Sequence, residues 1–180
     1  MGEKYLLGIE CTAHTFGIAI LDIKSKKFLC NLRDLFTTER GGLIPSELGK
    51  HHKKVSRPLF KKALQETKIR KEELIAIAFS NAPGLAPSLK AGMEFAKELS
   101  RELNIPLILV NHCIAHLEIG ETTGAKDPVL LYASGANTQI IAYEGNKYRI
   151  FGETLDLGVG NFIDTFARHV GFGFPGGPKI

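Results

Sequence analysis

The 180-residue chain carries a net charge of +4, and 44% of its residues are hydrophobic and 23% charged, which is typical of an ordinary globular protein. Its three cysteines lack CxxC spacing and argue against a disulfide framework, so we expect a protein of the reducing cytoplasm. No apolar run approaches the length of a membrane span, and the mild basicity permits a nucleic-acid partner without requiring one.

The first half of the chain predicts a three-stranded antiparallel meander followed by alternating helices and strands. The predicted strands span residues 5–9, 16–21, 28–35, 74–80 and 107–110, and the predicted helices span residues 46–67 and about 87–103. A loop over residues 37–45 carries Gly41 and Gly42.

Helix 46–67 has two distinct faces. Apolar spacing predicts a buried stripe of Leu48, His52, Val55, Leu59 and Ala63, and Pro58 is expected to kink the helix. The other face is basic, with Lys50, Lys53, Lys54, Arg57, Lys61 and Lys62. Such a face is typical of a solvated surface, and the alternative is a surface for a partner or for tRNA.

A histidine pair follows the strand at residues 107–110. Asn111 is a good N-cap, so a helix is expected to begin there. His112 and His116 then stand at i and i+4 on one helical face, where two imidazoles can bind one metal ion. The alternative is a helix start with one packed and one solvated histidine. A metallopeptidase would need a carboxylate beside the ligands, and the nearest acid, Glu118, comes two residues after the second histidine.

The pattern then starts again, with predicted strands at residues 129–132, 138–143 and 148–153 and a helix at about 161–169. A shift of 123 residues places Glu10 to Thr15 over Ala133 to Thr138, and Ile18 and Ala19 over Ile141 and Ala142. This internal repeat predicts two related domains, residues 1–126 and 127–180. The second has a meander and one helix but no later strands. We therefore expect a complete first domain, a truncated second one, and a chain that is the N-terminal part of a longer protein or one piece of a split one.

Each meander contains a small polar turn whose backbone N–H groups and hydroxyls suit a phosphate. Either turn alone is equally typical of an ordinary hairpin. The pair predicts a nucleotide held between two domains, with the turns facing each other across a cleft. The predicted phosphate-binding residues are Cys11, Thr12, Ala13, His14, Thr15, Asn137 and Thr138.

Five stretches together resemble one family: residues 8–15, 111–116, 127–138, 152–156 and 174–178. The chain resembles the tRNA threonylcarbamoyladenosine transferases in their archaeal and eukaryotic form, the catalytic subunit of the KEOPS complex. Members were formerly called O-sialoglycoprotein endopeptidases. The resemblance implies an α/β, actin-like, sugar-kinase-like and Hsp70-like (ribonuclease H-like) ATPase fold, in agreement with the repeat.

The resemblance also implies an activity and a site. The family transfers a threonylcarbamoyl group from threonylcarbamoyl-AMP to N6 of adenosine 37 in tRNAs that read ANN codons. His112 and His116 would bind one iron or zinc ion with the phenol oxygen of Tyr132, and a further aspartate ligand lies in the family's C-terminal half. The implied substrate-binding positions are Tyr132, Ala133, Ser134, Gly135, Ala136, Asp164 and Gly177. Ala136, Ala82 and Lys90 depart from the residues common in the family.

The implied partners are KEOPS-type subunits, a small dimerisation subunit and a kinase-like subunit, through which most of the tRNA contact would come. A threonylcarbamoyl-AMP or ATP nucleotide would occupy the cleft, with Asp164 placed near a ligand hydroxyl; the alternative for Asp164 is a first-turn carboxylate favoured by the helix dipole. The 180 residues alone are expected to be inactive. A non-catalytic partner-binding module that docks through helix 46–67, and a sugar-kinase-like ATPase, are the remaining alternatives.

Overall fold

The computed structural model describes residues 4–39 and 43–180, so Gly41 and Gly42 of the predicted loop lie outside the described residues. The chain forms two compact units. The first contains residues 4–36 and 44–111, and the second contains residues 37–39, 43 and 112–180. The structure thus groups residues 112–126 with the second unit, whereas the repeat predicted a boundary after residue 126.

The first unit is a five-stranded mixed sheet in the order β3-β2-β1-β4-β5. Its strands are β1 (Tyr5–Glu10), β2 (Thr15–Asp22), β3 (Lys27–Leu35), β4 (Leu74–Ala82) and β5 (Leu107–Asn111). Its helices are α1 (Pro45–Thr67) and α2 (Ala86–Leu103). The first three strands form the predicted antiparallel meander, and β4 and β5 continue the sheet in parallel.

The core of this unit follows from strand alternation. On β1 and β2 every second residue is buried, and these side chains pack against one face of α1 and one face of α2. Leu48, His52, Leu59 and Ala63 of the predicted stripe are buried, while Val55 is half-buried. Helix α1 runs through Pro58 without interruption, and the kink stays a prediction.

Two of the six residues on the basic face of α1, Lys53 and Arg57, form ion pairs with the acidic face of α2. Lys53 contacts Glu94 at 2.9 Å, and Arg57 contacts Glu98 at 3.3 Å and Glu102 at 3.0 Å. Exposed pairs of this kind contribute little stability, but they reduce the positive potential of the helix face. The contacts favour the solvated surface over a nucleic-acid surface.

The second unit is a three-stranded antiparallel sheet with two helices. Its elements are α3 (His112–Glu118), β6 (Leu130–Ala133), β7 (Thr138–Glu144), β8 (Lys147–Glu153) and α4 (Val159–His169). The second meander is therefore confirmed, and β7 begins 123 residues after β2. Cys113 and Leu117 of α3 pack against Ile141 and Tyr132, which makes a small core.

Much apolar surface of the second unit is exposed. Leu131 is 66% exposed, and Phe162 and Phe166 on α4 are 62% and 51% exposed. Ala167 is the one buried residue of α4. No helix in the described ranges 4–39 and 43–180 is both long enough and apolar enough to cross a bilayer.

Candidate functional site

The histidine pair and Tyr132 lie together in the second unit. Helix α3 begins at His112, directly after β5 ends, so His112 and His116 stand one turn apart. Their ring centroids are 4.6 Å apart, and the Tyr132 ring lies 5.7 Å from His112 and 5.5 Å from His116. Three rings from a helix and a strand thus form one cluster.

Strand alternation explains why Tyr132 reaches this cluster. Leu130 and Tyr132 point to the face of β6 that packs against α3, while Leu131 and Ala133 point away and are exposed. His112 is half-buried and His116 is exposed, so solvent reaches the cluster.

The donor set fits a transition-metal ion. Two imidazole nitrogens and one phenol oxygen are ligands that iron and zinc accept. No cluster of three or more histidine, cysteine, aspartate or glutamate residues suited to a metal occurs in the described part of the chain. Within the three-ring cluster, the Tyr132 phenol oxygen is the group that could add a third ligand to an ion held by the histidine pair.

A row of polar groups, of which Cys113 and Gln139 are buried, lies next to Tyr132. Its side chain hydrogen-bonds Cys113, whose thiol lies 3.9 Å from Oε1 of Gln139. Nε2 of Gln139 donates to Glu153 at 3.0 Å. Burial raises the pKa of the Cys113 thiol, and the hydrogen bond from Tyr132 opposes that rise. A neutral thiol is thus available to orient the phenol.

We define the second polar turn as residues 134–138. Ser134 N–H donates to the Asn137 carbonyl at 3.1 Å, and Ala136 N–H donates to Ser134 Oγ at 3.3 Å. Gly135 and Ala136 are exposed. The turn therefore presents small side chains and backbone to solvent, as a phosphate-binding turn requires.

The start of α4 closes on this turn through two glycines that the sequence analysis did not select. A Cβ on Gly158 would lie 2.6 Å from the Ser134 carbonyl oxygen, and one on Gly160 would lie 2.8 Å from the Gly135 nitrogen. Gly160 N–H donates to the Ser134 carbonyl at 3.0 Å. Only glycine permits this approach. The pattern Gly-Val-Gly at residues 158–160, just ahead of a predicted helix, is the signal that could have found it.

Asp164 and Gly177, both predicted substrate-binding residues, are brought together. Asp164 Oδ1 accepts hydrogen bonds from Gly176 N–H at 2.8 Å and from Gly177 N–H at 3.3 Å. A Cβ on Gly176 would lie 2.2 Å from Ala167, so this segment packs closely on α4. The carboxylate thus holds the glycine segment against the helix.

We define the first polar turn as residues 11–15, and it is more closed than predicted. Cys11 is fully buried, its N–H binds Ser80 Oγ at 3.1 Å, and burial raises the pKa of its thiol to about 12. The Glu10 carboxylate accepts hydrogen bonds from both the N–H and the hydroxyl of Thr12. The Cys11 side chain therefore belongs to the core rather than to a phosphate site.

The predicted residues divide between the units as follows. The second unit contains His112, His116, Tyr132, Asp164 and Gly177, together with the second polar turn, while the first polar turn lies in the first unit. The three-ring cluster of His112, His116 and Tyr132 thus lies within one unit. The facing of the two turns across a cleft stays a prediction.

The family model described as TsaD, tRNA N6-adenosine threonylcarbamoyltransferase, matches residues 30–180. The chain belongs to this tRNA N6-adenosine threonylcarbamoyltransferase family. The enzyme of that name from Thermococcus sibiricus is 56% identical over 174 residues, which cover 97% of this chain and 53% of that protein. A probable bifunctional tRNA threonylcarbamoyladenosine biosynthesis protein from Methanosarcina mazei is 47% identical, over 100% of this chain and 33% of its own length. The chain spans about half the length of its Thermococcus relative.

Solved structures confirm the actin-like fold predicted for this member of the tRNA N6-adenosine threonylcarbamoyltransferase family. YeaZ from Pseudomonas aeruginosa matches 84% of this chain and 68% of its own, with a TM-score of 0.58 and 17% identity. The ethanolamine utilization protein EutJ from Carboxydothermus hydrogenoformans matches 92% of this chain and 56% of its own, with a TM-score of 0.56 and 16% identity. At this identity the likeness concerns the fold alone.

One contact bears on the metallopeptidase alternative. Glu118, the acid nearest to the histidine pair in sequence, accepts a hydrogen bond from the Tyr148 hydroxyl at 2.6 Å. This bond raises the pKa of Tyr148 to about 12. Glu118 is thus engaged by β8, which disfavours it as the general base of a peptidase.

Proposed function

We propose that this chain supplies the metal-binding and phosphate-binding part of an enzyme that transfers a threonylcarbamoyl group from threonylcarbamoyl-AMP to N6 of adenosine 37 in tRNAs reading ANN codons. Membership of the tRNA N6-adenosine threonylcarbamoyltransferase family supports the reaction class. Because the chain spans about half the length of such relatives, the complete site needs residues beyond these 180.

The observation that carries the proposal is the three-ring cluster of His112, His116 and Tyr132. These side chains would hold one iron or zinc ion. When bound, the ion supplies Lewis acidity that polarises the carbonyl of the transferred group.

The remaining residues of the chain bind and orient the substrate. The exposed backbone of Gly135 and Ala136, beside the start of α4, would take the adenylate phosphate, because helix N-termini and small polar turns both favour anions. Among the described residues both hydrogen bonds to Asp164 fall on Oδ1, which leaves Oδ2 for a ligand hydroxyl. Tyr132 joins the two regions, since β6 carries it immediately before the turn.

The proposed partners are KEOPS-type subunits, among them a small dimerisation subunit and a kinase-like subunit, in the cytoplasm. Ion pairs engage four of the six residues on the predicted basic face, Lys50, Lys53, Arg57 and Lys62. We therefore propose that most tRNA affinity comes from those subunits.

The experiment compares transfer to tRNA by the complete natural protein with that of His112→Ala/His116→Ala. We expect the transfer rate to fall about a hundredfold or more, because the loss of both imidazoles removes the metal ligands. The bound metal should fall to less than about 0.1 ion per chain. The matched control is His169→Ala, an exposed histidine at the end of α4, which should retain metal and transfer. Undiminished transfer by the double variant, with its fold intact by circular dichroism, would refute the metal role.

A further inference from the structure

A row of three titratable side chains lies beneath the first polar turn, away from the proposed metal cluster. Asp34 Oδ1 is 2.7 Å from His51 Nε2, and His51 Nδ1 is 3.2 Å from His52 Nδ1. The row runs from the partly exposed Asp34 on β3, through His51, to His52 on α1. It is a continuous chain of hydrogen bonds from the surface to the core.

The inner end of the row is buried and incompletely bonded. His52 is fully buried, and its ring packs edge-on against Phe16 at 5.3 Å. Its Nε2 makes no hydrogen bond within the described part of the chain. The Ala13 backbone carbonyl lies close enough to favour a protonated ring, but it does not meet hydrogen-bond geometry. Because Nδ1 of His52 is bonded to His51, Nε2 of His52 is the ring nitrogen that can interact with the first polar turn.

The partners fix where the protons lie while both histidines are neutral. The Asp34 carboxylate only accepts, so His51 carries its proton at Nε2 and has a lone pair at Nδ1. His52 must then carry its own proton at Nδ1. Its Nε2 is left as a buried acceptor facing a carbonyl, which is an unfavourable arrangement.

We propose that Asp34, His51 and His52 form a proton relay that switches His52 Nε2 from an acceptor to a donor toward the first polar turn when His51 becomes charged. One proton from solvent is added at His52 Nε2, and the His52 Nδ1 proton moves across the 3.2 Å contact to His51 Nδ1. His51 then carries protons on both nitrogens, and His52 stays neutral with its proton at Nε2. Nε2–H then faces the Ala13 carbonyl as a donor, which removes the unfavourable pairing of two acceptors.

The electrostatic surroundings support a neutral His52 in both states. Burial lowers the pKa of His52 to about 4, and the neighbouring His51 and His14 lower it further while Glu10 opposes them. Added charge therefore resides on His51, which faces the Asp34 carboxylate.

Nitrogen-15 NMR of the histidine-labelled 180-residue chain across pH 5 to 8 tests the relay. We expect His52 to hold a single proton throughout, on Nδ1 at high pH and on Nε2 at low pH. The midpoint of this change should coincide with that of the His51 charge change. A His52 that keeps one tautomer, or that becomes doubly protonated, overturns the proposal.

Asp34→Asn provides a second test, because an amide oxygen still accepts from His51 but no longer stabilises its charge. We expect the tautomer change to move to lower pH, because the charged ring loses the neighbouring carboxylate. Asp22→Asn is the matched control, since that carboxylate bonds to Ser25 and Lys24 in the same meander. An unmoved midpoint in Asp34→Asn overturns the relay.

A consequence for ligand binding rests on the proposed function of the first polar turn. If that turn binds the nucleotide, ATP affinity should change at the same pH as the tautomer. An intact tautomer switch beside a pH-independent ATP affinity overturns the nucleotide role of the turn and leaves the relay standing.

Discussion

The two polar turns have a common construction but different surroundings. Each accepts one backbone N–H from the start of a helix that comes later in the chain, from Leu85 to Thr12 at 2.8 Å and from Gly160 to Ser134 at 3.0 Å. The first polar turn, however, has Glu10 bonded into it and Cys11 buried beneath it. At the matching positions the second polar turn has Ala133 and Ser134, and its tip is exposed.

The difference shows that two turns at matching positions of the internal repeat need not have the same function. A carboxylate beside a turn repels a phosphate, whereas exposed small residues next to a helix start attract one. We therefore expect the second polar turn to hold most of the phosphate contact. The first polar turn is tied to the core of its unit and, through His52, to a titratable group.

The largest effect should come from the glycine that closes the first polar turn. A Cβ on Gly92 would lie 2.0 Å from Cys11 Sγ, and both residues are buried, so one of them would have to shift. Gly92→Ala should lower the free energy of unfolding by about 3 kcal/mol, or prevent folding. Urea denaturation of the chain measures it. Gly8→Ala is the control, because its Cβ would meet nothing nearer than 3.8 Å; equal losses in both variants would contradict the tight closure.

Acid should destabilise the first unit through His52. Because the folded-state pKa is about 4 and the ordinary value is 6.5, the unfolded chain binds the extra proton between those values. The stability contributed by neutral His52 is complete above about pH 6.5 and is lost, by about 3 kcal/mol, as the pH falls to about 4. Denaturation at a series of pH values should show this slope in the wild type and not in His52→Leu. A slope that persists in the variant would assign the effect to other groups.

Matched alanines in the two turns sharpen the comparison at the ligand. Ala136 of the second polar turn and Ala13 of the first are 123 residues apart and occupy the same register. Removing the exposed Ala136 methyl should let a phosphate approach the backbone, so Ala136→Gly should tighten ATP binding by about tenfold, or ~1.4 kcal/mol. Ala13→Gly should change it less than about threefold. Isothermal titration calorimetry with ATP measures the affinity of both variants. A larger gain in ATP affinity in Ala13→Gly would show that the first polar turn makes most of the phosphate contact.

The smallest effect should come from Cys113, which holds the Tyr132 phenol. Cys113→Ala should weaken zinc binding by about tenfold, because a ligand without its supporting hydrogen bond is less well oriented. Cys113→Ser, which keeps a polar partner, should recover most of the affinity. Competition with a chelating dye measures both constants. Equal affinities in Cys113→Ala and the wild type would show that Tyr132 is positioned by packing alone.

Local patterns predicted most of the fold. The meanders, the order of helices and strands and the 123-residue repeat follow from apolar alternation and turn residues, and the structure has them. The spacing of His112 and His116 placed both rings on one helical face, because helical geometry acts over one turn.

What the sequence could not predict depends on contacts between distant residues. Cys11 hydrogen-bonds Ser80 and lies against Gly92, and both residues are far from it in sequence. The sequence therefore could not show that Cys11 is buried and does not line a phosphate site. The approach of Gly160 to Gly135 depends likewise on where α4 begins, two residues earlier than predicted. Asp34 and His51 are 17 positions apart, and no short-range pattern pairs them.

The most direct test of the proposed metal centre is an anomalous-difference map at the iron or zinc edge, measured on crystals of the metal-loaded complete protein. The account predicts one peak within about 2.0–2.3 Å of a ring nitrogen of His112, a ring nitrogen of His116 and the Tyr132 hydroxyl oxygen. A peak bound elsewhere, or one with the Tyr132 oxygen more than about 4 Å away, would contradict it.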